Sequence, residues 1–401
     1  MTPQNFPKLA TASIAAHVAD QMMLALLPLV LVASGASART ISFVVAAHAA
    51  AWLLISLPVG AYADAVSRRT IMTLGALALI AGATVGGVAA AFGLAEPWVL
   101  GVAAFTIASG VVMLILSVFA LVPKSVESTK LASANALLEF GRAVVCIAAP
   151  IIAAYLVARG LGALGFGLAG AGGLIALLAA RALPVETSAP GTGVSILGAI
   201  RDGAAFVIKE PILRAIALCA IAWNSAFFAL TAVFAPYAAQ DLGMSIEDIG
   251  NAWSVYGIGL LLGSLAVTPM LARLPMGFMF VFGPATSCLA VLLMVAGARA
   301  GMTWPVAAGF FCLGFGPMTW LVLQTSVRQI VTPNALLGRV GATITTTIYG
   351  VRPVGAVLAG LVAQSFGART ALWLSVALFF ASCAAMLLSP AARLKDMPKA
   401  A

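Results

Sequence analysis

Read for polarity alone, the chain alternates between long apolar runs and short polar breaks. No residue from Ile41 to Ala63 carries a full charge, and none does from Ile71 to Gly93. Each run exceeds the roughly 20 residues that a helix needs to cross a bilayer. Similar uncharged runs lie at Trp98–Ala120, Leu161–Ala180, Ala215–Ala239, Ile249–Leu271, Gly277–Ala298, Met302–Ser326 and Thr370–Ser389, and three more, Leu9–Ala33, Leu131–Ala158 and Val340–Phe366, enclose charged residues. Backbone groups in lipid must be satisfied within their own segment, so continuous runs, unlike short alternating ones, predict helices and not a barrel. The pattern therefore predicts an all-α polytopic membrane protein of twelve spans.

Composition agrees and removes other classes. Hydrophobic residues make up 63% of the 401, charged residues 8%, and the mean hydropathy is +1.11. That is too little polar material to cover a water-soluble surface. The net charge of +9 does not point to nucleic acid, because the basic residues stand singly or in pairs between apolar runs. Such placement sets topology. With the amino terminus inside, Lys8, Arg68, Arg69, Lys124, Lys130, Arg181, Arg201, Lys209, Arg214, Arg273, Arg328, Arg339, Arg393, Lys395 and Lys399 fall on the cytoplasmic side. Only Arg39, Arg159, Arg299 and Arg369 fall outside, so both termini are expected in the cytoplasm. The first run is longer than a signal-peptide core and contains Asp20, which favours a retained helix. All five cysteines lie in apolar runs, where they serve as small hydrophobes with no disulfide or metal framework implied.

The longest polar interval, ALPVETSAPGTG, follows the sixth run and reads as a linker. After it, Ile196, Ile200, Ala204 and Val207 gather near one helical face, with Arg201, Asp202 and Lys209 away from it. That segment suits a helix on the inner membrane surface. The expected organisation is a six-helix bundle over 1–183, a cytoplasmic linker with an amphipathic helix over 184–210, and a second six-helix bundle over 211–401. The halves echo each other. Asn135-Ala136-Leu137-Leu138 opens the fifth span and Asn334-Ala335-Leu336-Leu337 precedes the eleventh, 199 residues later, about half the chain. A parallel duplication of six-helix units leaves such a trace, making the two bundles pseudo-symmetric.

Between the second and third runs stands GAYADAVSRRT. Twelve spans in two repeats, with G-x-x-A-D-x-x-x-R-R at this loop, resemble the major facilitator superfamily. Gly60, Ala63, Asp64, Arg68 and Arg69 match its signature, while Ala65 and Ser67 depart from it, Ser67 standing where the family usually has Gly. The resemblance implies a cytoplasmic gate in which Asp64 meets a helix N-terminus and basic side chains. Asp64 can accept backbone N–H bonds and pair with Arg69. The plainer alternative makes Arg68 and Arg69 topology anchors alone. Within the superfamily, LGAIRDGAAFVIKEPILRAIAL and TPNALLGRVGATITTTIYGVRPVGAVLAGL resemble the enterobactin-exporter and macrolide-efflux branch. Ala149 to Ala154, AAPIIAA with its flank, stands where exporters commonly carry a Gly-Pro and Gly-Gly pattern. Pro150 and Pro353 are expected to bend equivalent helices.

The chemistry is expected where the membrane should exclude charge. A lone charge at a helix centre costs roughly 2.5–3.5 kcal/mol on insertion scales, so such residues face a cavity or a partner. Asp20, near the middle of the first span, is the leading proton-coupling candidate. His17 lies one turn before it on the same face, and Glu139 is a third candidate. The bland alternative has Asp20 hydrogen-bonded to polar side chains and fixing helix packing. His48, alone on the second span, reads as a packing histidine. Glu139 and Arg142, three residues apart, either neutralise each other or serve the substrate. Arg352 either reaches an acid or presents charge to an anionic substrate. Trp223, Asn224, Phe227, Phe228, Trp253 and Tyr256 are expected to line a cavity, with packing or lipid contact as the alternative.

These residues and the resemblance together imply a secondary active exporter of the inner membrane, a monomer working by alternating access. Its expected substrate is an amphipathic small molecule such as a siderophore or antibiotic. The expected drive is proton antiport, with no cofactor, because no phosphate-binding loop of the G-x-x-x-x-G-K-[ST] type occurs. An enzyme is not expected, since two histidines on different spans make no metal or nucleophile constellation. A lysolipid flippase, an uptake symporter and a non-transporting receptor remain as alternatives.

Overall fold

Apolar runs whose backbone must satisfy itself fold as helices, and in the computed structural model every described element is helical. The structure describes residues 3–62, 66–127, 130–184, 196–300, 303–333 and 336–395. In chain order the helices are α1 (Phe6–Ala33), α2 (Ala38–Tyr62), α3 (Arg68–Ala91), α4 (Pro97–Ser125), α5 (Leu131–Ala158), α6 (Gly162–Arg181), α7 (Ile196–Lys209), α8 (Pro211–Gln240), α9 (Ile246–Leu271), α10 (Met276–Ala300), α11 (Trp304–Val331), α12 (Leu337–Phe366) and α13 (Ala368–Leu387). Among the described residues twelve of them, all except α7, are long and apolar enough to cross a membrane. Several outrun their apolar core and take in a terminal charge, such as Lys8, Arg39, Arg181 or Arg328. A long basic side chain interrupts hydropathy without interrupting the helix, because its stem stays apolar while its head reaches the interface.

By contacts the chain divides into two units, Met1–Gly193 with Ser245–Gly250, and Val194–Met244 with Asn251–Ala401. Their internal packing repeats. In the first, α1 packs on α5 and α6, and α3 on α4 and α6; in the second, α8 packs on α12 and α13, and α10 on α11 and α13. The same four helix pairs recur six spans later, as a duplicated bundle requires.

Small residues let these helices approach. In α4 a Cβ added to Gly110 would touch the Gly75 carbonyl of α3 and lie 2.8 Å from the Leu79 amide nitrogen. Helices in lipid associate largely through such close packing. Gly110→Val should therefore force α3 and α4 apart, at about 1–3 kcal/mol for overpacking. Gly167, on α6, has nothing within 4 Å of the same position. Gly167→Ala should be neutral or slightly stabilising, by about 1 kcal/mol at most. Thermal unfolding of the two variants in one detergent checks both; equal midpoints would show that the α3–α4 contact is not tight.

The linker helix does more than lie on a surface. The side chains of Ile196 and Ile200 lie outside the described residues, but Gly203 and Val207 are buried. A Cβ on Gly203 would meet the Arg339 carbonyl and the Thr343 hydroxyl of α12. Asp202, expected on the polar face, bonds Arg339 Nη1 at 2.9 Å. Placing Gly203 against α12 brings its neighbour within reach of the first turn of that helix. The α7 helix is thus docked onto the second bundle.

Candidate functional site

Each bundle holds one polar constellation. In the first, α1 carries Asp20 into the interior, where the residue is 7% exposed. Asp20 Oδ1 lies 3.1 Å from His48 Nε2 of α2, and Gln21 Nε2 donates to Asp20 Oδ2 at 3.0 Å. His48, expected as a packing histidine, is buried and hydrogen-bonded, but to a carboxylate of another helix. It is the cross-helix partner of Asp20. His17, one turn away, bonds neither oxygen; its Nδ1 and that of His48 are buried without a hydrogen-bond partner among the described residues. On α5, Glu139 Oε2 accepts from Arg142 Nε and Nη2, both at 2.7 Å. That pair is partly exposed, and His17 lies within electrostatic reach of both its members and of Asp20.

In the second bundle, α12 carries Arg352 against α8. Arg352 Nε donates to Asn224 Oδ1 at 3.1 Å, and Asn224 Nδ2 donates to the Ala220 carbonyl at 2.9 Å, which fixes the amide with its oxygen toward the arginine. The guanidinium also stands over two rings, 4.6 Å from the centroid of Tyr349 and 5.1 Å from that of Phe228. Behind them Trp223 stacks on Phe227 at 5.1 Å, and Phe227 leans on Tyr256 at 5.6 Å. Trp223 Nε1 donates to Ser287 Oγ at 2.9 Å. None of the six spans of this bundle carries Asp or Glu beyond the first turn of α9. The guanidinium of Arg352 is thus set against an amide oxygen and two aromatic faces.

Trp253 does not join this group. It is 7% exposed and packs edge-on and tilted against Phe234 and Phe310 in the bundle core. The five cysteines are free, with Cys146, Cys219 and Cys288 buried. Among the described residues no group of three His, Cys, Asp or Glu side chains could hold a metal ion.

At the loop between α2 and α3, Gly60 lies in the last turns of α2 and Arg68 opens α3, while Asp64 lies outside the described residues. Ser67 caps α3, its Oγ accepting from the Thr70 amide at 3.2 Å. The departure from the family's glycine thus supplies a cap. Arg68 and Arg69 sit in the first turn, where the helix dipole disfavours cations by about 0.3–1 kcal/mol. Helix stability does not explain them, whereas a membrane anchor or a gate does. Ser67→Ala should cost about 1 kcal/mol and Ser67→Gly only a few tenths, the usual order for caps. Chemical denaturation of the two variants measures it, and an alanine variant no worse than the glycine one would show that the cap contributes nothing.

The sequence profile described as transmembrane secretion effector matches residues 2–400. The chain belongs to this family of the major facilitator superfamily. An uncharacterized MFS-type transporter of Bacillus subtilis (strain 168), YceJ, is 25% identical over 338 residues, 82% of either chain. The enterobactin exporter EntS of Shigella boydii serotype 18 is 26% identical over 252 residues, which are 61% of this chain and 58% of that protein. Among solved structures, a POT family transporter in complex with a thioalcohol-conjugated peptide superimposes with a TM-score of 0.78 at 13% identity, covering 94% of each chain. A bacterial homolog of the human lysosomal transporter Spinster gives 0.73 at 14% identity, covering 97% of this chain and 96% of that one. At such identities the structural likeness concerns the fold alone. Family and fold make the protein a multi-pass membrane transporter and not an enzyme.

Of the residues singled out from sequence, the first bundle brings together Asp20, His17, Glu139 and Arg142, and the second Arg352, Asn224, Trp223, Phe227 and Tyr256. Sequence reasoning missed Tyr349, although its place three residues before Arg352 puts it on the same helical face. It also missed Ser287, which answers the rule that a buried indole N–H finds an acceptor. No local signal marked His48 as the partner of Asp20, because the pairing joins two helices.

Proposed function

We propose that this protein is a proton-driven exporter of amphipathic small molecules in a bacterial inner membrane, cycling by alternating access of its two bundles. The reading is carried by one observation: a buried carboxylate, Asp20, bonded across two membrane-spanning helices to a histidine. A charge so placed is costly unless it is used, and a carboxylate that can change protonation state gives an antiporter its coupling step. The similarity to an enterobactin exporter supports export as the direction. The energy source is the proton gradient, without a cofactor, and the working unit is a monomer with both termini in the cytoplasm. The gate residues of this reading are Gly60, Asp64, Arg68 and Arg69.

The substrate site of this reading is the Arg352 constellation. A guanidinium flanked by Tyr349 and Phe228, beside the Trp223–Phe227–Tyr256 stack, suits an amphipathic molecule carrying an aromatic or anionic group. Siderophores and antibiotics both offer such groups.

The test is reconstitution in liposomes holding a pH-sensitive dye, with an imposed proton gradient and a panel of siderophores, cationic drugs and lysolipids. Proton movement evoked by one class, together with extrusion of that class, supports antiport. Movement of lysolipid alone would favour a flippase, and accumulation in place of extrusion an uptake symporter. Absence of flux for every compound, measured directly, would sink the transport of this substrate class.

A further inference from the structure

His48 is 2% exposed, and its two ring nitrogens have different surroundings. Nε2 faces Asp20 Oδ1 at 3.1 Å, whereas Nδ1 is buried and has no hydrogen-bond partner among the described residues. A carboxylate oxygen only accepts, so with Asp20 ionised the ring proton lies on Nε2 and Nδ1 is a bare acceptor. A carboxylate that fixes one tautomer and leaves the opposite nitrogen as a base is the arrangement by which imidazoles move protons. We propose that the coupling site is the Asp20–His48 pair and not the carboxylate alone, with His48 Nδ1 as the atom that takes up the proton.

The step balances within the pair. A proton added at Nδ1 makes an imidazolium. Its Nε2 proton then passes to Asp20 Oδ1, leaving neutral Asp20 and the Nδ1–H tautomer. Release of the Asp20 proton, and return of the ring proton to Nε2, resets the pair. The titratable and charged groups facing it are few. On α1 it has His17 and on α5 Cys146, both within electrostatic reach of Asp20, with Glu139 and Arg142 of α5 in turn within reach of those two. Among the described side chains, the helices packed around it otherwise add terminal groups alone, Lys8 on α1, Lys124 on α4, Arg181 on α6 and Arg39 at the start of α2. Beyond the bonded pair, His17 lies within electrostatic reach of Asp20 and of the partly exposed Glu139. The inference rests on the proton-antiport reading for its purpose, but its central claim, the protonation of His48, stands apart from any substrate.

The chain has two histidines, so nitrogen-15 histidine NMR of the protein in lipid nanodiscs shows two rings, assigned with a His17→Gln variant. The expected spectrum at alkaline pH has His48 protonated on Nε2 and bare on Nδ1, with Nδ1 gaining a proton on acidification. Asp20→Asn, whose amide can turn either its oxygen or its NH2 group toward Nε2, should no longer fix one tautomer. An Nδ1–H tautomer at alkaline pH, or a ring that stays neutral across the acidification series, would overturn the proposal even if export is confirmed. His48→Gln keeps an N–H donor toward Asp20 but has no second nitrogen to protonate. In proteoliposomes, the panel compound that moves most protons in the parent should move about a hundredfold fewer in this variant, the scale of a lost proton-transfer group. Its exchange across membranes at equal pH should persist. Coupling equal to the parent's would refute the role of His48. If no panel compound moves, the export reading fails and the NMR result alone decides the proposal.

Discussion

Asp20→Asn is expected to abolish proton-driven transport while leaving a folded protein. Asparagine keeps the shape of the side chain and an oxygen that can accept from His48 Nε2, now at 3.1 Å from Asp20. It cannot change its charge. The cost in stability is that of a weakened buried hydrogen bond, about 1–3 kcal/mol. Asp20→Ala would instead strand His48 and Gln21 without an acceptor and confound the reading with misfolding. The discriminating measurement compares two fluxes in one preparation. Uphill transport driven by a pH gradient should fall by about a hundredfold or more in the variant, as for loss of a proton-transfer group. Downhill exchange of the same compound should continue. If uphill transport survives, Asp20 is a packing residue and coupling lies elsewhere, with Glu139 the next carboxylate to remove.

The second large effect is expected at Arg352. Alanine removes the donor to Asn224 Oδ1 and the cation over Tyr349 and Phe228, and leaves the second bundle without its central charge. Each cation–aromatic contact is worth about 0.5–2 kcal/mol and a charged hydrogen bond about 1.5–3 kcal/mol. Substrate affinity should weaken by at least about tenfold, which corresponds to 1.4 kcal/mol. Lysine sharpens the test. It retains the charge but loses the planar fork and Nε, so it should recover little if the substrate is recognised through the stacked guanidinium. Full recovery by lysine would mean that charge alone matters. Binding titrations of the transported panel compound to parent, alanine and lysine forms measure both outcomes. An alanine form binding as tightly as the parent would assign Arg352 to structure only.

The two constellations differ in what their chemistry asks for. The first bundle contains carboxylates and imidazoles, groups that can gain and lose a proton. The second contains a permanent cation beside an amide oxygen and aromatic faces, which discriminates by charge and shape and does not titrate. A coupled exporter needs both kinds of group.

The sequence by itself determined the architecture. Twelve apolar runs, each long enough to cross a bilayer, leave the backbone no choice but helices, and the helices found begin and end within a few residues of those runs. The same reasoning identified Asp20 and Arg352, because a charge inside such a run is conspicuous without knowledge of its neighbours. Only tertiary structure decided what each charge meets. His48 is 28 residues from Asp20 and Asn224 is 128 from Arg352. Helical periodicity fixes neighbours three or four residues apart, as it did for Glu139 and Arg142, but carries no information about which face of another helix arrives. That was settled by close packing at small residues: Gly355 lets α12 press on the Ser225 backbone of α8, one turn from the Arg352–Asn224 bond. The same limit explains Trp253, whose aromatic sequence context suited a cavity wall, but whose turn of α9 faces Phe234 and Phe310 in the core.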